Sequence, residues 1–143
     1  MISEIRKHIK DSIKACSSKY IMIDNPFHKD EDLIGTKANY LYALVFGPSV
    51  KLIDDELGNV QQIPVNLKTY RQGAKDKNAD FDEGFEEALI IKDQIIDRSS
   101  IKSKEYIKVM TRSNVNPGEV LDSQDIYSYE TNFIFTISYG IGE

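Results

Sequence analysis

The sequence is poor in the residues that build covalent or metal-based frameworks. It has one cysteine, Cys16, two histidines and no tryptophan among 143 residues. A single cysteine excludes an internal disulfide, so stability has to come from an ordinary hydrophobic core. No apolar run approaches the roughly 20 residues that a membrane-spanning helix needs, and the polar N-terminal segment does not resemble a secretory signal. These shortages favour a protein of a reducing compartment that is not embedded in a membrane.

The charge balance is acidic. Lysine and arginine number 18 against 23 aspartates and glutamates, which gives a net charge of −5. Basic residues are scattered among acidic ones, whereas binding to nucleic-acid phosphates requires clustered cations. Specific or bulk nucleic-acid binding is therefore not expected. Hydrophobic residues make up 41% of the chain and charged residues 29%, which predicts one folded domain over residues 1–143.

The C-terminal segment is the most regular part of the chain. From Ile126 to Tyr139 the sequence alternates with period two, as in a strand. One face is aromatic, with Tyr127, Tyr129, Phe133, Phe135 and Tyr139, and the other is mostly polar. At ~3.3 Å per residue such a strand spans roughly 45 Å. A compact domain of this length is only about 37 Å across. The strand therefore bends or reaches beyond its domain, where a free edge could pair with another chain.

The remaining elements follow from apolar spacing and from turn residues. The pattern predicts helices over Ile2–Cys16 and Phe81–Ile96, and strands over Tyr20–Ile23, Tyr40–Phe46, Val50–Ile53, Val60–Arg71 and Tyr106–Met110. Asp80 or Asp82 is the predicted cap of the second helix, and Ile91 lies beside its apolar face. Pro64 predicts an edge or a bulge, and Asn116-Pro117-Gly118 predicts a turn. This order predicts an α+β fold with a mixed, mostly antiparallel sheet, two main helices on one face and a long C-terminal strand.

Two acidic segments contain residues that could bind a metal ion. Asp76, Asn78, Asp80, Asp82 and Glu87 have the spacing of an EF-hand calcium loop. Phe81 stands where that loop needs its glycine, so the segment is interpreted as a polar loop that enters a helix. His28, Asp30 and Asp32 form a second possible set, interpreted as a charged surface loop. No metal site, no cofactor and no catalytic residues are predicted.

The order of elements resembles the tail terminator, or tail-completion, proteins of long-tailed bacteriophages. The resemblance comprises the N-terminal amphipathic helix, the Asn25-Pro26 loop, the apolar strand Tyr40–Phe46, the later helix and the final strand with its ending FTISYGIGE. It implies a non-enzymatic structural protein that forms a ring, typically a hexamer, at the head–tail junction of the virion. Such a ring caps the tail tube, ends its polymerisation and joins the tail to the head connector. It also implies assembly in the host cytoplasm, with the tail tube protein and a head-completion or neck protein as partners.

The resemblance and the strand pattern together predict which residues meet other subunits or the ring lumen. These are Phe27, Ser128, Glu130, Asn132, Thr136 and Ser138. DNA would pass this polar face without specific binding, since an acidic or neutral surface repels phosphates. Two alternatives stay open from sequence. One is another neck or head–tail joining protein, and the other is a small α+β domain that binds a metal or another ligand.

Overall fold

The structure is a computed structural model, and it describes residues 2–27, 29, 40–55, 58–72, 77–97, 107–111, 114–119 and 126–140. Two helices and seven strands lie within these residues. They are α1 (Ile2–Cys16), β1 (Ile21–Met22), β2 (Tyr40–Phe46), β3 (Val50–Asp55), β4 (Gly58–Gln72), α2 (Lys77–Ile96), β5 (Ile107–Thr111), β6 (Asn116–Glu119) and β7 (Ile126–Gly140). The predicted α+β class is confirmed.

Two strands of equal length form the centre of the sheet. β4 and β7 pair antiparallel over all 15 residues of each, from Gly58 opposite Gly140 to Gln72 opposite Ile126. β2 and β3 follow one another along the outer edge of β4, and β5 and β6 do the same along β7. β1 pairs parallel with β2 and makes the sheet mixed. The long C-terminal strand is therefore accompanied over its whole length by a strand of its own chain.

Pro64 lies in a central strand, where a proline removes one ladder hydrogen bond. Its carbonyl accepts a hydrogen bond from the amide of Gly47 at 2.9 Å, between the end of β2 and the start of β3. The nitrogen and carbonyl of one strand residue point to the same side, so the Pro64 nitrogen also faces this break in pairing. The predicted edge position of Pro64 is wrong, because β4 is a central strand. The missing donor of Pro64 faces the gap between β2 and β3, where the pairing along this side of β4 is interrupted.

The hydrophobic core lies between the helices and one face of the sheet. Fully buried side chains of both helices pack there against the sheet: Ile5, Ile9, Ile13, Ile91 and Ile95. Phe133 and Phe135 lie beneath them with no exposed surface, as their place on the aromatic face of β7 predicts. Burial of one such side chain stabilises the fold by about 1.5–3 kcal/mol. The sequence predicts one apolar stripe on α1, formed by Ile2, Ile5, Ile9, Ile13 and Cys16. Its three central residues are buried and Cys16 is half-buried, whereas Ile2 at the start of the helix is 40% exposed.

Helix α2 differs from its predicted form in two respects. It begins at Lys77, so Asp80 and Asp82 lie inside its first turns and neither is the N-cap. Ile91, predicted beside the apolar face, is one of the most buried residues of the core. The helix is rotated about its axis so that Gly84 also faces the sheet. A Cβ at Gly84 would lie 2.6 Å from the hydroxyl oxygen of Tyr129, so glycine permits this close approach.

The predicted turn at Asn116-Pro117-Gly118 is also wrong, since these residues belong to β6. They pair antiparallel with Ser128–Glu130 of β7. The free edge of β7 offers backbone donors and acceptors there, and these outweigh the local preference for a turn. A proline is compatible with this place because β6 is an outer strand, where one side of the backbone needs no ladder partner.

Candidate functional surface

The sheet face opposite the helices, called the open face below, carries most of the residues predicted for assembly. Alternate positions of β7 point to it, and Glu130, Asn132 and Thr136 are half-buried there. Ser128 lies on the same face but is buried within the chain. Ser138 pairs with Val60 in the register of β7, while its side chain lies outside the described residues. The structure thus brings the β7 set together along one strand.

Phe27 does not join this set. It follows β1, and β1 is separated from β7 by β2 and β4 in the sheet. Its amide donates a hydrogen bond to Asn25 Oδ1 at 3.0 Å, which closes the Asn-Pro turn. The ring is 79% exposed, more than any other large apolar side chain of the described residues. Phe27 therefore lies apart from the β7 set, next to the β1 edge of the sheet.

A side-chain network holds the centre of the open face. Asn66 of β4 donates through Nδ2 to Glu130 Oε1 at 2.8 Å and to Asn132 Oδ1 at 2.9 Å. Asn66 stands directly opposite Asn132, and Lys68 stands opposite Glu130. Opposite charges at cross-strand positions stabilise an antiparallel pair by about 0.2–1 kcal/mol. The carboxylate of Glu130 is therefore fixed in place at a half-exposed position by its neighbours.

The open face becomes apolar toward the end of β4 that follows this network. Leu41, Ala43 and Tyr70 form a buried cluster, and the partly buried Ile23 and Ile126 pack against it. Ser128 stands opposite Tyr70 in the ladder, which explains its burial. This end of the face does not have the polar surface that was predicted along the whole strand. Among the described side chains of β7, the polar surface is confined to the stretch around Glu130, Asn132 and Thr136.

Two exposed apolar side chains border the open face on opposite edges of the sheet. Val50 of β3 stands opposite Gln62 and is 52% exposed, and Met110 of β5 stands opposite Ile134 and is 53% exposed. Their registers place both on the side away from the helices. Protein–protein interfaces commonly have an apolar core and a polar rim, so a polar centre between two exposed apolar side chains does not by itself mark an interface.

A buried ionic cluster on the helix side was not recognised from sequence. The guanidinium of Arg71 contacts Glu83 Oε2 at 2.9 Å and Glu87 Oε1 at 3.6 Å, and it lies 5.2 Å from the ring centroid of Tyr40. Tyr20 donates its hydroxyl to Glu87 Oε2 at 2.6 Å. Burial, together with this hydrogen bond, raises the pKa of Tyr20. The cluster neutralises a buried cation and joins β2, β4 and the residue before β1 to α2.

A second set of contacts fixes the first turns of α2. Tyr129 donates its hydroxyl to the carbonyl of Phe81 at 2.7 Å, and its ring packs against the rings of Phe81 and Phe85. Burial raises the pKa of Tyr129 to about 12. Together with the Arg71 cluster, these contacts have an evident structural function, since they hold the helix close to the sheet at Gly84.

The segment with EF-hand spacing does not form a calcium loop. Asn78, Asp80, Asp82 and Glu87 all lie on α2. A turn of about 100° per residue places Asp80 on the other side of the helix from Asn78 and Asp82, so the set cannot surround one ion. Glu87 is engaged with Tyr20 and Arg71. Within the described ranges no group of three or more histidine, cysteine, aspartate or glutamate side chains could hold a metal ion. Asp76, His28, Asp30 and Asp32 lie outside the described residues.

The remaining candidate side chains have structural partners. His8 is buried in α1, where Nε2 donates to the carbonyl of Ile95 at 2.8 Å and the ring meets Phe135 edge-on. Cys16 is half-buried against the core, and burial raises the pKa of its thiol. A thiol with a raised pKa is a weaker nucleophile at neutral pH, because less of it is ionised. Both side chains contribute to packing between α1 and α2.

No protein-family model matches the chain, and no curated protein is similar to it in sequence. No helix among the described residues is long and apolar enough to cross a membrane.

Proposed function

We propose that this chain is a structural tail terminator of a long-tailed bacteriophage. Copies of the chain form a ring, typically of six, that caps the tail tube, ends its polymerisation and joins the tail to the head connector. The ring belongs to the virion at the head–tail junction, and its partners are the tail tube protein and a head-completion or neck protein. The proposal rests on the resemblance in element order and on the surface features described above. It assigns no catalytic residue, metal or cofactor.

One observation carries this proposal: the open face of a sheet whose two central strands extend over 15 residues each. Among the described residues the two helices cover the other face, and the half-buried centre around Glu130 is the part of this face that we assign to contact with other subunits or with a channel. Its polar centre around Glu130 suits either a subunit contact or the wall of a lumen through which DNA passes. Glu130 stands opposite Lys68, so this centre presents no cluster of cations that would hold the phosphates of moving DNA. The same face would serve a related neck or head–tail joining protein.

The function is tested by the length of the tail tube. Purified chain added to polymerising tube protein should stop growth, and particles that lack the chain should carry tubes of excessive and irregular length. Electron microscopy of both preparations measures this directly. Tubes of normal length in the absence of the chain would refute the terminator role. If the chain is found instead between connector and tail without an effect on length, the neck alternative is the correct one.

The variant Glu130→Lys then distinguishes a lumen from a subunit contact. A lumen position leaves folding and ring formation intact, and it makes DNA passage slower and dependent on salt. A contact position abolishes the ring. Glu119→Lys is the matched control, because Glu119 is exposed on β6 and belongs to the helix side of the sheet. Unfolding of the isolated Glu130→Lys chain would show that the face is buried and that neither version holds.

A further inference from the structure

β5 is an outer strand that pairs with β7 on one side, and no strand of the described residues lies along its other edge. The other outer strands each have a feature that discourages pairing with another chain. β1 has only two residues, the register of β3 shifts between Lys51 and Ile53, and β6 contains Pro117. β5 has five residues, with no proline and no shift of register. Its edge is therefore open to a further strand.

The hydrogen bond at Pro64 shows which backbone groups of β5 are free. The carbonyl of Pro64 accepts from the amide of Gly47, so the backbone groups of Pro64 face β2 and β3, away from β7. In an antiparallel sheet, opposite residues alternate between pairs that exchange hydrogen bonds and pairs that do not. Ile134, opposite Pro64, therefore faces β5 and exchanges hydrogen bonds with Met110. The backbone groups that face the outer edge of β5 are those of Ile107, Val109 and Thr111.

The same alternation accounts for a hydrogen bond at the far side of the sheet. Tyr42 stands opposite Thr69, an odd-numbered residue of β4 like the two neighbours of Pro64. The backbone of Thr69 therefore faces β7, and that of Tyr42 faces away from β4 toward β1. The carbonyl of Tyr42 does accept a hydrogen bond there, from the amide of Ile23 at 2.8 Å. The assignment of the free groups on β5 thus agrees with a second, independent contact.

The side chains next to this edge are apolar on both faces of the sheet. Val109 lies on the helix side opposite Phe135 and is buried in the core. Met110 lies on the open face and is 53% exposed. A strand added along β5 would cover Met110 and pair the free backbone groups at once. An exposed apolar side chain on an unpaired edge strand is the combination that favours addition of a strand from another chain.

We propose that the added strand is β5 of a second copy of this chain. A two-fold axis perpendicular to the sheet, passing beside Val109, makes the two strands antiparallel and keeps the helices of both copies on the same side. Val109 then stands opposite Val109 of the other copy, and Ile107 stands opposite Thr111. The backbone groups of each of these pairs face one another, so each pair exchanges two hydrogen bonds. Every free donor and acceptor of the edge is satisfied in this register.

The symmetry of the free groups favours a second copy over an unrelated strand. They belong to the first, central and last residues of β5, so their spacing is the same from either end. A two-fold axis superposes such a set on itself, and two-fold dimers are the commonest closed assemblies of soluble proteins. The open faces of both copies stay on one side of the joined sheet and are not covered. The dimer therefore goes beyond the proposed tail function and does not depend on it.

A proline at the outer edge provides the main test. Thr111→Pro removes an amide that faces the second copy, and the ladder with β7 stays intact because that amide does not bond to β7. Two hydrogen bonds are lost per dimer, so the dissociation constant should rise by roughly 30-fold or more. Sedimentation velocity of the full chain at concentrations up to ~200 μM, where contacts of modest affinity form, measures this.

Glu119→Pro is the matched control. Glu119 stands opposite Tyr127 on the outer strand β6, and by the same alternation its amide also faces away from β7. The variant therefore removes an outward amide at an edge that the proposed contact does not use, and the dissociation constant should stay unchanged. Circular dichroism of each variant shows whether it is folded. If Thr111→Pro does not fold, Ile107→Pro takes its place, because a proline is tolerated at the first residue of a strand.

Disulfide trapping tests the register. Met110 stands opposite Lys108 of the other copy at a pair without hydrogen bonds, where opposite residues lie closest. In a Cys16→Ser background, a chain with Met110→Cys mixed with a chain carrying Lys108→Cys should cross-link readily on oxidation. Met110→Cys alone should cross-link much less, because the two copies of this position are diagonal neighbours about 7–8 Å apart.

Four results would overturn the inference. They are a monomeric wild-type chain at the highest concentration, a folded proline variant of β5 that associates like wild type, a Glu119→Pro chain that associates as weakly as the β5 variant, and trapping of Met110→Cys alone as readily as the mixture. The first result would leave the edge of β5 to a strand of a different protein. None of the four bears on the length of the tail tube, so the proposed function is tested separately.

Discussion

Replacement of Phe135 by alanine probes the centre of the helix–sheet core. Phe135 has no exposed surface, stands between Ile63 and Val109 in the sheet and meets the edge of His8 at a ring-centroid distance of 6.4 Å. The change removes a whole ring from a site that β4 and β5 confine on both sides, so little collapse of the cavity is expected. The free energy of unfolding should fall by about 3–5 kcal/mol.

This loss is large enough to appear in two independent assays. With an unfolding entropy of ~2.1 cal/mol/K per residue over 143 residues, a loss of about 4 kcal/mol lowers Tm by roughly 13 °C. Urea denaturation followed by circular dichroism gives the free energy itself, provided the slope m is unchanged between variants. A change in m would mean that the variant alters the unfolded state or the two-state behaviour, and the comparison would then rest on Tm.

Phe27→Ala is the matched control, because it is the same chemical change at a ring that is 79% exposed. Its effect on unfolding should stay within about 0.5 kcal/mol. The difference between the two losses in free energy of unfolding therefore measures burial and cavity formation. Effects that depend only on exchanging phenylalanine for alanine cancel in this difference. A loss below about 1 kcal/mol for Phe135→Ala would refute the assignment of this ring to the core.

Four further outcomes are expected. Gly84→Ala should destabilise the fold by about 1–3 kcal/mol in thermal unfolding, because the new methyl group would lie 2.6 Å from the Tyr129 hydroxyl oxygen. This cost outweighs the higher helix propensity of alanine. Unchanged or increased stability of the variant would contradict the close approach. Tyr20→Phe should cost about 1–3 kcal/mol in urea unfolding, because it removes a hydrogen bond to the half-buried carboxylate of Glu87, and a neutral result would argue against that bond. Burial raises the pKa of Tyr129 to about 12, whereas an unfolded tyrosine ionises near pH 10. The contribution of Tyr129 to the free energy of unfolding is therefore intact below pH 10 and is lost as pH rises from 10 through 12. Tyr129→Phe should flatten this alkaline decline when Tm is measured against pH. Addition of 5 mM calcium or EDTA should shift Tm by less than about 1 °C, and a larger shift in either direction would support the metal-binding alternative.

The strongly periodic elements could be read from sequence. α1 and β2 have their predicted bounds, and β7 extends its predicted range by one residue, because their apolar repeats are long or dense and no breaker residue interrupts them. The side of β7 that faces the core follows from its alternation alone. Turn-favouring residues predicted the local structure less well than apolar periodicity did. Asn116-Pro117-Gly118 favours a turn in isolation, yet it pairs with the edge of β7 and forms a strand.

The open face could be predicted only in part. Glu130, Asn132 and Thr136 were found because they alternate with aromatic residues along one strand. Asn66 and Lys68 alternate in the same way along β4, but nothing local indicates that they stand opposite Asn132 and Glu130. That correspondence depends on the register between two strands more than 50 residues apart in sequence. A shift of one residue would turn every side chain to the other face.

By itself, the sequence determined the fold class, the long C-terminal strand and the buried aromatic face, because these follow from periodicities within single segments. The tertiary structure alone decided the rotation of α2 that buries Ile91 beside Gly84, and the meeting of Arg71 with Glu83 and Glu87. Both depend on how the helix lies against the sheet and against α1. A pattern within one segment specifies which side of a helix is apolar, but its final rotation is set by the shape of the surface on which it packs.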